Sequence, residues 1–131
     1  MKLTVPIEDL IIGIICGLLL VGYTEKFFPL KLNEYVYVIA FIIYCVFIAL
    51  DILFELSDLT THFGFIVLSI AHNLVDLVLS LTVISHFSEW SIPYITSYLV
   101  PYLQNESLIF GAGVFLVLGN LFWLVVYPFT Y

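Results

Sequence analysis

From Val36 to Leu50 the chain carries no charged residue, and three further stretches are nearly as apolar. The hydrocarbon core of a bilayer takes about 20 apolar helical residues to cross. The apolar stretches have that length, covering about 6–27, 34–57, 63–85 and 107–127. They are continuous rather than alternating, which favours helices over barrel strands, because in lipid every backbone polar group must be paired within the spanning structure. The expectation is an all-α, polytopic membrane protein: one helical domain over residues 1–131, with four transmembrane helices and a short interfacial segment before the last.

Composition agrees. Of 131 residues, 63% are hydrophobic and 10% charged, where a soluble domain has about 25% charged. Three lysines, no arginine and a net charge of -7 leave nothing to neutralise phosphates, so nucleic-acid binding is excluded. Cys16 and Cys45 lie inside apolar runs, which argues against a disulfide framework. Met1-Lys2 ahead of an apolar stretch opens like a signal peptide, but no small-x-small cleavage site follows, so the run is expected to remain as a helix. The lipid bilayer is the expected surroundings, with the cell membrane as the expected location.

The first helix has Thr4 as a candidate N-cap, Pro6 in its first turn, and Glu8 and Asp9 where the helix dipole favours carboxylates. Glu25 and Lys26 mark its exit and Pro29 stops it. The short link at Leu59–His62 makes the second and third helices antiparallel neighbours. Between Phe87 and Glu106, Trp90, Tyr94, Tyr98 and Tyr102 recur every four residues, a stripe suited to anchoring at the headgroup level. Orientation signals conflict. Lys26 and Lys31 favour a cytoplasmic first loop, whereas the sequon Asn105-Glu106-Ser107 on the same side favours the opposite.

Most carboxylates fall near helix ends, but Asp51 and Asp76 do not, and a charge at a helix centre costs about 2.5–3.5 kcal/mol on insertion scales. Asp51, Glu55 and Asp58 share one face of the second helix, extended by Tyr37 and Tyr44. On the third helix Ser69, His72, Asp76 and Ser80 form a polar stripe, with Asn73 beside it and His62 at the near end. With a reversal near Leu59–Thr61, Tyr44 lies level with Asp76, and Asp51 within reach of His72. Asp51, His72 and Asp76 are therefore candidate ligands of a divalent metal, zinc or similar, with Glu55, Asp58 and His62 as access or secondary groups. Proton relay and simple locking of the hairpin are the other readings of the same cluster.

Ala71-His72-Asn73-Leu74-Val75-Asp76, followed by Leu77 and Ser80, resembles the metal-binding second helix of cation diffusion facilitators, and also one helix of ZIP-type zinc transporters. That resemblance, confined to this helix, implies His72 and Asp76 as zinc ligands. Asp58-x3-His62 with the later His72 is similar to a pattern in one subunit of copper membrane monooxygenases.

Gly13 and Gly17, Gly111 and Gly113, and Asn120 give the first and last helices small or hydrogen-bonding faces for close neighbours, within the bundle or in another chain. The chain has no nucleophile arrangement and no phosphate loop, so catalysis by this chain alone is not expected. Two functions remain. One is a small accessory subunit packed within a larger membrane complex, beside other subunits or copies of itself. The other is a divalent-metal or proton translocator using the Asp/His cluster.

Overall fold

The computed structural model describes residues 4–57, 63–88 and 90–130. All regular structure among them is helical: α1 (Thr4–Thr24), α2 (Glu34–Ser57), α3 (Phe63–Phe87), the single turn α4 (Ile95–Tyr98), a 3-10 turn (Val100–Gln104) and α5 (Glu106–Thr130). Three of the helices, α2, α3 and α5, are long and apolar enough to cross a membrane. Their outward faces carry exposed Ile39, Ile43, Leu53, Leu68, Val75, Leu118 and Phe122, as a bilayer solvent requires.

Sequence spacing sets the packing. The buried positions of α2 include the series Tyr37, Phe41, Tyr44, Ile48, Asp51 and Glu55, and those of α3 the series Ile66, Ser69, Asn73, Asp76, Ser80, Val83 and Phe87. Both series alternate steps of three and four, the seam of helices that pack nearly antiparallel with side chains interdigitated. Asp9, Cys16 and Leu20 on α1, and Ile109, Leu116, Asn120 and Trp123 on α5, continue the pattern. The helices pack in the order α3, α2, α1, α5. Gly17 and Gly113 bring α1 and α5 together: a Cβ built on Gly17 would lie 2.6 Å from the Gly113 carbonyl oxygen.

Two boundaries differ from the sequence expectation. α1 ends at Thr24 instead of running to residue 27. Glu25 takes a left-handed φ of 58°, and the N–H groups of Glu25 and Leu30 both donate to the Gly22 carbonyl, at 3.0 and 3.3 Å. The chain folds back over Gly22, where a Cβ would lie 2.8 Å from the Leu30 Cβ, so the turn needs glycine there. The aromatic segment is two short pieces instead of one helix. It breaks at Leu99: the 3-10 turn starts at Val100 with Pro101 in its first two positions, and Pro101 has no N–H with which to continue α4. Trp90, Tyr94, Tyr98 and Tyr102 are exposed, and Leu103 tucks inward.

A buried carboxyl file as candidate functional site

The centre of the bundle is polar. On α2, Tyr44 donates to Asp76 of α3 at 2.6 Å, the level pairing that the hairpin register predicts. Nearer the α2–α3 link, about one turn along α3 and two to three turns along α2, the Asn73 amide donates to Asp51 at 2.8 Å and to Glu55 at 3.0 Å. Ser69 donates to Glu55. From α5, the Asn120 amide donates to the Tyr44 hydroxyl at 3.2 Å and to the Leu116 carbonyl at 2.7 Å. His72 Nε2 lies 3.2 Å from Asp76 Oδ2. Its ring also sits 5.8 Å from that of Trp123 and against Gly119 of α5.

Asp9 of α1 completes the arrangement. It is 1% exposed and faces Asp51 across the α1–α2 seam. Neither of its oxygens receives a hydrogen bond, and Asp51 Oδ1 and Asp76 Oδ1 also lack a donor. Two carboxyls set against each other can bond only by sharing a proton or a cation, since both ionised groups only accept. Asp9, Asp51, Glu55 and Asp76 are thus buried together on three helices. No lysine pairs with Asp9, Asp51 or Asp76 among the described residues.

The file has a direction. From Glu55, close to the end of α2, to Tyr44 at its middle is about 16 Å at 1.5 Å per residue. Beyond Tyr44 the seam is mostly apolar, with Phe41, Ile84, Val83 and Leu116 buried beside the hydroxyl of Ser80, and it carries no further carboxyl among the described residues. It closes on three rings: Tyr37 stacks on Phe87 at 4.9 Å, and Tyr23 meets both edge-on at 5.3 and 4.9 Å. The buried carboxyls therefore lie in the half of the bundle towards the end where α2 and α3 join, and stop midway.

The structure places the sequence-derived residues unevenly. His72 and Asp76 adjoin, while Asp51 turns to Asn73 and Asp9. Glu55, expected as an access group, is 4% exposed and bonded within the file. Asp58 and His62 lie outside the described residues. Among the described residues, no three His, Cys, Asp or Glu side chains gather closely enough to hold a metal ion. Gly13, Gly17, Gly113 and Asn120 all face neighbours within the bundle, and only Gly111 looks onto open space.

Asn73 sits on the buried stripe with His72 at its flank, the reverse of the emphasis that polarity alone suggests. Asp9 was missed because a carboxylate near a helix start reads as dipole compensation. Its step of four to Gly13, followed by Cys16 and Leu20, is the signal that would have placed it on the seam. Searches against protein-family models, curated proteins and solved structures find no match to this chain.

Proposed function

We propose that this chain is a small integral-membrane subunit whose carboxyl file takes up protons from one face of the bilayer and holds them at mid-membrane. In this reading α1 is a fourth crossing beside α2, α3 and α5, and the membrane is the cell membrane. The observation that carries the proposal is the burial of Asp9, Asp51 and Asp76 along one seam, flanked by Glu55 and His72, with no lysine pairing with these three aspartates among the described residues. Charge balance in such a place calls for protons or a bound cation, because isolated carboxylates in low dielectric are too costly. Tyr44, Ser69 and His72 are hydroxyl and imidazole groups able both to accept and to give a proton. The apolar, ring-sealed half of the seam suits a subunit that delivers its proton sideways, to a partner in a larger complex, and not one that conducts across the membrane alone.

Infrared difference spectroscopy of the lipid-reconstituted protein through a pH jump tests this. A carboxylic-acid C=O band that follows pH and shifts in D2O is expected, and Asp76→Asn and Asp51→Asn should each remove part of it. An unchanging carboxyl region, with both variants less stable than the parent, would assign the cluster to hairpin packing. Zinc that raises the melting temperature of the parent but not of His72→Ala would instead favour the divalent-metal reading, to which the adjoining His72 and Asp76 lend their geometry.

A further inference from the structure

At the opposite end of the bundle from the mouth of the carboxyl file, a cavity of about 780 Å³ opens between the start of α2 and the end of α3. Asn33, Glu34 and Tyr35 form one wall, and His86, Ser88 and Trp90 form the other. We propose that this cavity binds an alkylated ammonium group, as carried by a zwitterionic phospholipid headgroup or by a free quaternary amine.

Three observations converge on that class of ligand. The first is charge: Glu34 contributes an exposed carboxylate, and no lysine lines the cavity among the described residues. Lys26 and Lys31, the nearest cations in sequence, are engaged elsewhere. Lys26 donates to Ser107 at 3.0 Å and lies over Phe110, and Lys31 lies 4.8 Å from the centre of the Tyr23 ring. The second is the rings. Tyr35 and Trp90 are 75% and 57% exposed at the cavity, and aromatic faces beside a carboxylate are the surroundings that quaternary ammonium ions select. The third is rigidity and level. Trp90 is held by its backbone, its N–H donating to Ser88 at 3.2 Å and its carbonyl accepting from Ser85 at 2.9 Å. Asn33 caps α2 by accepting the Tyr35 N–H at 2.9 Å. The cavity sits at the start of α2 and the end of α3, and its Trp90 opens the segment whose stacked Tyr94 and Tyr98 rings suit the headgroup layer.

Trp90 and Trp123 are the two tryptophans of the chain, so a Trp123→Phe background makes Trp90 emission the reporter. In nanodiscs of phosphatidylglycerol, tetramethylammonium chloride should shift that emission saturably, and sodium chloride at equal ionic strength should not. Glu34→Gln and Tyr35→Leu should each weaken the response about tenfold. Glu106→Gln, a carboxylate removed at the same end of the bundle but outside the cavity, should leave it unchanged. If nanodiscs of phosphatidylcholine abolish the response to the free ion, the lipid headgroup is the occupant. If the response persists there, a free amine is. Equal responses to sodium and tetramethylammonium, or a Glu34→Gln variant indistinguishable from the parent, would overturn the assignment.

Discussion

At the residue scale the file depends on what is missing from α1. Gly13 leaves room for groups from two other helices: a Cβ there would lie 2.6 Å from the Tyr44 hydroxyl and would meet the Asn120 amide as well. Both side chains are fully buried and bonded to each other, so neither can swing away without leaving a polar atom unpaired. Gly13→Ala is expected to destabilise the protein by about 1–3 kcal/mol through overpacking. Gly111→Ala, with nothing within 4 Å of the new methyl, is expected to be neutral or to stabilise by about 0.5–1 kcal/mol through helix propensity. Thermal melts of the two variants in the same detergent compare them directly, and equal midpoints would remove Gly13 from the network. Sequence alone singled out both glycines without telling them apart. The difference lies in what faces each one, and that depends on the rotation of α1 and α5, which apolar periodicity specifies poorly when nearly every position is apolar.

At the scale of elements, legibility tracked polarity. The α2–α3 hairpin was readable because polar residues on apolar helices have few places to go: Tyr44 and Asp76 pair at the level that a short turn requires. In the interfacial segment the sequence displays only the four-residue aromatic spacing, which suits a short helix lying in the interface plane. Its course is set by tertiary tethers instead. Thr96 Oγ1 accepts the Ile92 N–H at 2.8 Å and lies 2.8 Å from Ser85 Oγ, which in turn donates to the Trp90 carbonyl. This cluster ties α4 to the end of α3. Thr96→Val keeps the shape and removes the hydroxyl, leaving the Ile92 N–H without its acceptor, a loss of about 1–3 kcal/mol. Hydrogen exchange should then accelerate at Ile92 to Tyr98 while the amides of α2 and α3 keep their protection. Unchanged exchange in that segment would show that the aromatic anchors alone hold it.

At the scale of the whole molecule the antiparallel order α3, α2, α1, α5 has a topological consequence. α1 pairs along its length with α5, from Gly17 against Gly113 to Gly13 against Asn120, and with α2 through the Cys16 thiol on the Ala40 carbonyl at 3.6 Å. On the proposed reading of α1 as a fourth crossing, it shares the slab of the three apolar helices, and the file needs it there to bring Asp9 to Asp51. Four crossings would place both termini on one side, with the Lys26 loop and the α4 segment together on the other. Single-cysteine labelling with a membrane-impermeant maleimide reads this out in sealed vesicles. It needs a background in which Cys16 and Cys45, buried and half-buried, are replaced by alanine. Lys2→Cys is expected to label from the side opposite to Ser97→Cys and Lys26→Cys. Labelling of Lys2→Cys from the same side as Ser97→Cys would leave three crossings. It would also take Asp9 away from the membrane interior and remove the mouth of the file. The two outcomes thus decide between a carboxyl file built on three helices and a two-helix hairpin whose Asp51 must find its counterpart elsewhere.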